Sequence, residues 1–301
     1  MTYLRTIALL FFLLGLAACT AVGPPPVLST SIPVPITSSP TPKPTVVPTA
    51  TPLACLLERG ALTRRVLDST KPPQEFLIYL PPCYDQKPDE SYPVLYLLHG
   101  QTYKDDQWVS LGAAVAADNL IHASQAPPFI IVFPDDRYWN LPPGPGFGDR
   151  LLNIVIPFVD QNYRTLTDRD HRALGGLSRG GGWTIHLALT RYDLFGTIGL
   201  HSPVIFDDDA VILQNLVRAV PANAWPRLWL DAGDRDGGLS NIRALEAMLT
   251  VYEVPHVWRM YTGDHSDAYW HAHIGEYIQW YADGFKSQAD STSAASAAPT
   301  P

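Results

Sequence analysis

The pentapeptide Gly176-Leu177-Ser178-Arg179-Gly180 limits what this chain can be more than any other feature. It joins residues 172–177, of strand character, to residues 181–190, which carry helical periodicity. A strand that turns straight into a helix is too tight for bulky neighbours, and glycine occupies both flanks of the motif. The Ser178 hydroxyl is then held clear of the backbone, with the partial positive charge of a helix N-terminus beside it. That is the setting in which a serine acts as a nucleophile. The same residues also occur in plain strand-to-helix turns, so the reading depends on what the rest of the chain supplies.

The surrounding sequence alternates two kinds of element. Short apolar runs at 76–80, 94–98, 129–133, 172–177, 196–200, 227–231 and 257–261 have strand character. Val94-Leu95-Tyr96-Leu97-Leu98 is near-continuously apolar, the pattern of a strand buried on both faces. Helical stretches at 111–123, 149–163, 181–190, 240–252 and 267–285 complete the alternation. The pattern predicts an α/β fold with a mainly parallel central sheet flanked by helices. A composition 46% apolar and 17% charged suits one sizeable domain, placed at residues 53–286. In such sheets the ligand site lies beyond the carboxyl ends of the strands. The segment between His201 and Arg227 is too short for a large lid domain, so an open cleft is expected.

Serine needs a base, itself oriented by a carboxylate. Asp231 at the end of one strand and Asp234 and Asp236 in the loop after it are the candidate acids. His265 follows the last strand in a glycine-containing loop and is the candidate base. His271 and His273 diverge on the final helix, which makes them poor metal ligands, and they read as surface residues. The backbone N–H of Arg179 is one candidate oxyanion donor, and that of Gln101 the other, with Thr102 as the alternative. His99 reads as a structural residue of that loop. Tyr103, Trp108 and Trp139 are candidate substrate contacts; Tyr138 and Trp270 also lie near strand ends. Asp207-Asp208-Asp209 reads as a helix start or solvated loop, not a metal site, and the chemistry calls for no metal or cofactor. A formal net charge of −8 argues against nonspecific nucleic-acid binding.

The two ends read differently. Arg5, the apolar residues 7–14 and the small residues before Cys19 have the layout of an export signal over residues 1–18. Leu16-Ala17-Ala18-Cys19 resembles the lipobox of bacterial lipoproteins. That implies cleavage before Cys19, lipidation of its thiol and anchorage on the outer face of a bacterial membrane. Residues 19–52, rich in Pro, Ser, Thr and Val, predict an extended spacer, and the Ser/Ala-rich residues 287–301 a disordered tail. Cys55 and Cys83 remain, and an exported chain meets an oxidising environment, so a disulfide between them is expected.

Further motifs recur along the folded middle. They are Tyr79-Leu80-Pro81-Pro82-Cys83-Tyr84, Pro93-Val94-Leu95-Tyr96-Leu97-Leu98-His99-Gly100 and Asp105-Asp106-Gln107-Trp108, then Ile156-Pro157-Phe158 and Asn162-Tyr163-Arg164. After the serine motif come Asp193-Leu194-Phe195-Gly196, Gly233-Asp234-Arg235-Asp236, and Gly263-Asp264-His265 with Trp270. In this order they resemble a bacterial esterase family of the α/β-hydrolase superfamily. Its members include feruloyl esterase domains, enterochelin esterases, human-type esterase D and the mycolyltransferases. The resemblance implies the α/β-hydrolase fold and a cofactor-free serine esterase with Ser178, Asp236 and His265 as nucleophile, acid and base. It selects Asp236 because the family's acid ends a G-x-x-D stretch. The expected substrate class is an acylated polysaccharide or a feruloyl or acetyl ester. Siderophore esters and acyl transfer to an alcohol are the alternatives. A non-catalytic surface-anchored binding protein and a peptidase are rival readings, opposed by the intact triad positions and by the family respectively. Two positions depart from the family pattern. Arg179 stands where Met or another apolar residue is usual, and Asn153 where many members are acidic.

Overall fold

The apolar runs assemble into one eight-stranded sheet in the computed structural model, which describes residues 54–136 and 146–296, with side chains through 286. The strands are β1 (Ala61–Leu67), β2 (Gln74–Leu80), β3 (Val94–Leu98), β4 (Ile130–Pro134), β5 (Arg172–Leu177), β6 (Thr197–His201), β7 (Arg227–Gly233) and β8 (Val257–Tyr261). They lie in the order β1-β2-β4-β3-β5-β6-β7-β8. β2 runs antiparallel to both β1 and β4, and every other neighbouring pair is parallel. The helices are α1 (Gln107–Ser110), α2 (Ala113–His122), α3 (Phe147–Arg150), α4 (Ile156–Asn162), α5 (Arg179–Thr190), α6 (Asp207–Ala219), α7 (Leu239–Val251) and α8 (Asp267–Ser296). A π-helical stretch, Leu151–Val155, joins α3 to α4.

Successive strand residues point to opposite faces, and the core divides accordingly. Val94, Tyr96 and Leu98 of β3 pack with apolar side chains of α3 to α7, while Leu95 and Leu97 pack with α1, α2 and α8. Covering both faces is what makes the central strands apolar throughout. Helix α8 docks through Tyr281, whose hydroxyl lies on the face of the sheet over the paired Gly175 of β5 and Gly199 of β6. A Cβ at Gly175 or Gly199 would lie only 1.9 or 1.8 Å from that oxygen, so both strands carry glycine there.

Two elements differ from expectation, and one further motif takes the form expected of it. β1 carries exposed residues at six of its seven positions, so it lacks an apolar run and owes its strand form to pairing with β2. Asp207-Asp208-Asp209 is the expected helix start: it opens α6, where three carboxylates meet the positive end of the helix. Helix α8 continues to Ser296, into the stretch expected to be a disordered tail. Ala289, Ala294 and Ala295 favour the helix, and the first proline comes only at Pro299. Cys55 and Cys83 form a disulfide that ties the turn Ala54–Leu57 to the loop after β2. The export signal, Cys19 and the spacer at 19–52 lie outside the described residues. Among the described residues no helix is long and apolar enough to cross a membrane.

Candidate active site

Ser178 sits between β5 and α5 with φ 52° and ψ −119°, a strained conformation for a residue with a side chain. Its glycine flanks are required by close approach. A Cβ at Gly176 would lie 2.2 Å from the Gly180 backbone, and one at Gly180 would lie 2.1 Å from the Leu98 carbonyl oxygen. Backbone bonds hold the strained residue on two sides. The Ser178 N–H donates to the His201 carbonyl at 3.0 Å, and the Ser178 carbonyl accepts from Val204 at 3.1 Å.

The loops after β7 and β8 complete a line of hydrogen bonds. Ser178 Oγ lies 2.8 Å from His265 Nε2, and His265 Nδ1 lies 2.8 Å from Asp236 Oδ2. A carboxylate only accepts, so His265 carries its proton on Nδ1 and leaves Nε2 to accept from the serine. The Asp236 side chain is fully enclosed, and its other oxygen accepts from the Gly238 N–H at 2.7 Å. Burial acts to raise the Asp236 pKa. The His265 ring, the Gly238 amide and the nearby Ser202 hydroxyl together outweigh it and hold the carboxyl below its usual value. Ser202 is itself buried at φ 46°, and its hydroxyl makes no hydrogen bond of full geometry with any described group. The edge of the Trp270 ring packs 5.0 Å from the His265 ring.

The other two candidate acids do different work. Asp234 accepts from the Gly263 N–H at 3.0 Å and so secures the histidine loop. Asp231 is fully buried behind the site. It takes the hydroxyls of Tyr269 and Tyr277 at 2.7 Å each, the Trp229 indole N–H at 2.9 Å, and His201 Nδ1 at 2.7 Å. Tyr281 meets the far nitrogen of His201 at 3.0 Å. Burial first, and then the Asp231 charge, raises the pKa of all three tyrosines, so they remain protonated donors.

The loop after β3 runs beside the serine: a Cβ on Gly100 would lie 3.5 Å from Ser178 Cβ. Gln101 and Arg179 line one cavity of about 350 Å³ together with Val204, Ile205, Phe206, Asp207 and Asp208. Thr102, the alternative donor, has φ 70°. Gln107 fastens the loop, accepting from the Gly100 N–H and donating to Asp267, each at 2.8 Å. The Arg179 side chain is buried rather than projected as a bare charge. Its Nε–H donates to Asp136 Oδ2 at 2.8 Å, and the Trp183 indole donates to the same oxygen at 3.0 Å.

Of the candidate substrate contacts, Tyr103 is 42% exposed and bonds Asp267 at 2.8 Å. Trp108 is core, not cleft: it is buried, its indole donates to the Leu98 carbonyl at 2.9 Å, and its edge meets His201. Trp139 and Tyr138 lie outside the described residues. His271 is exposed, whereas His273 is half-buried and stacked on Tyr261 with ring centroids 4.0 Å apart, so it is not the surface residue expected. Asp136, Ser202 and the His201–Asp231 pair were not read from the sequence. The pair is brought together by strand register, which places His201 opposite Asp231.

Comparison with known proteins places this geometry in context. The family model described as "Putative esterase" matches residues 68–281. An endo-1,4-beta-xylanase/feruloyl esterase of Xylanibacter ruminicola is 35% identical over 146 residues, which is 45% of this chain and 20% of that protein. An esterase of Mycobacterium tuberculosis is 30% identical over 124 residues, 37% of this chain and 25% of the relative. The matches thus span a quarter or less of these relatives. A solved ferulic acid esterase superposes with a TM-score of 0.67 at 23% identity, covering 75% of this chain and 98% of the other. An S-formylglutathione hydrolase from Staphylococcus aureus gives 0.61 at 22%, covering 75% and 100%. These likenesses identify the fold as that of the α/β-hydrolases.

Proposed function

The chain belongs to this esterase family, and from that premise we propose that it hydrolyses carboxylic esters through Ser178, His265 and Asp236. The observation that carries the proposal is the unbroken line of hydrogen bonds from Ser178 through His265 to the enclosed Asp236 carboxylate. Ser178 Oγ attacks the ester carbonyl carbon while His265 Nε2 takes the hydroxyl proton, and Asp236 stabilises the imidazolium. The carbonyl oxygen becomes an oxyanion that accepts from the N–H groups of Arg179 and Gln101. Collapse of the adduct breaks the bond to the alcohol, which leaves with the proton from His265. Water then repeats the sequence on the acyl-serine, releasing the acid and returning the proton to Ser178.

Replacing Ser178 with Ala is expected to abolish hydrolysis of p-nitrophenyl acetate and labelling by a fluorophosphonate probe. Retained turnover in that variant overturns the proposal. For the substrate, we propose an acylated polysaccharide carrying feruloyl or acetyl esters. The named activities of the Xylanibacter relative support this class. For location, we propose anchorage through lipidated Cys19. Loss of the protein from the membrane fraction in Cys19→Ala is the expected result, and unchanged recovery there refutes it.

A further inference from the structure

Arg179 is one of the two positions at which this chain departs from the family pattern, and its side chain reaches further than its own turn. The guanidinium Nε–H donates to Asp136 Oδ2. The Asp136 backbone N–H donates in turn to His99 Nε2 at 2.8 Å. A ring nitrogen that accepts a hydrogen bond carries no proton, so the neutral His99 ring is protonated on Nδ1. That Nδ1–H donates to the Gly100 carbonyl at 2.7 Å.

In a trans peptide the carbonyl of one residue and the N–H of the next lie in one plane and point in opposite directions. Holding the Gly100 carbonyl therefore aims the Gln101 N–H. The Tyr103 N–H also donates to this carbonyl, but at 3.3 Å, the longer and weaker of the two restraints. At the other end, the arginine stem is fixed by burial, and its guanidinium carbon lies 5.7 Å from the Phe206 ring centre.

We infer that the Arg179 side chain is a positioning group that aims the Gln101 N–H through Asp136 and His99. One residue then governs both donors of the proposed oxyanion site. Its backbone N–H is the first, and its side chain orients the second. The inference rests on the ester-hydrolysis reading for its kinetic consequence but not for its geometry.

The test compares Arg179→Met, Arg179→Lys and the double variant Arg179→Met/Asp136→Asn with wild type. All three retain the backbone N–H of residue 179. Losing a whole oxyanion donor costs about 10²–10³ in kcat, so a misaimed one is expected to cost about ten- to a hundredfold in Arg179→Met, with KM changed less than about two-fold. Lysine at this position is expected to recover part of the loss, because it again donates to Asp136. The double variant, which removes the carboxylate charge together with the guanidinium and serves if the single variant does not fold, is expected to show the same loss as Arg179→Met. Wild-type kcat in folded Arg179→Met, or its return in the double variant, overturns the inference. ¹⁵N NMR of the imidazoles supplies a reading that needs no turnover. A protected His99 Nδ1–H is expected in wild type and its exchange-broadening in Arg179→Met. If wild type fails to hydrolyse esters, the proposed function falls alone, while an unchanged His99 signal in Arg179→Met removes the positioning role.

Discussion

Asp236 shows how much of the site depends on a single enclosed charge. Its carboxyl is held below the usual 3.8. The ionised form therefore stabilises the fold fully above 3.8, and this contribution is lost as pH falls through the lower folded value. Removing the Ser202 hydroxyl takes away one of the groups that lower it. Ser202→Ala is expected to unfold at lower urea than wild type at neutral pH, with the difference shrinking once pH drops well below 3.8. Equal midpoints at neutral pH would count against any contact between the two groups. For chemistry, Asp236→Asn is expected to retain the fold and lose about 10⁴ in kcat. The amide favours a hydrogen bond that leaves the His265 proton on the wrong nitrogen, and steady-state kinetics on p-nitrophenyl acetate measure the loss.

Among the elements, α8 and the β5–β6 pair depend on one another. The hydroxyl of Tyr281 fills the space that side chains at Gly175 and Gly199 would need. Gly199→Ala is expected to cost about 1–3 kcal/mol by overpacking, read as a lowered thermal midpoint by circular dichroism. The same elements show where sequence was informative. β3 was legible because both of its faces are covered and it is apolar throughout, and the order of Ser178, the acid loop and His265 follows the chain. β1 was not, since only its pairing with β2 makes it a strand. Trp108 misled because an aromatic near a strand end reads alike whether it faces cleft or core. Its direction is set by the short α1, which turns the ring under Leu98 and against His201. His201 and Asp231 are 30 residues apart, and neither belongs to a motif. Only the register of β6 against β7 makes them partners.

At the scale of the whole molecule, the Cys55–Cys83 disulfide closes a chain separation of 28 residues at the β1–β2 edge of the sheet. A loop of that length predicts a stabilisation of about 3–4 kcal/mol by restriction of the unfolded chain, as an upper estimate. Reduction is expected to lower the thermal midpoint without abolishing the proposed hydrolysis, because Ser178, Asp236 and His265 all lie on the far side of β3. Activity lost in step with reduction at a temperature where the fold persists would contradict this. The buried cluster behind the site has a consequence in time as well as in space. Asp231 and His201 draw three of their bonds from Tyr269, Tyr277 and Tyr281, which a ribosome makes after every group they satisfy. A nascent chain that has completed β7 but not α8 must leave that carboxylate and imidazole open to water. The interior behind Ser178 therefore seals only once synthesis has passed Tyr281, so the last helix to be made is the one that completes the buried polar cluster.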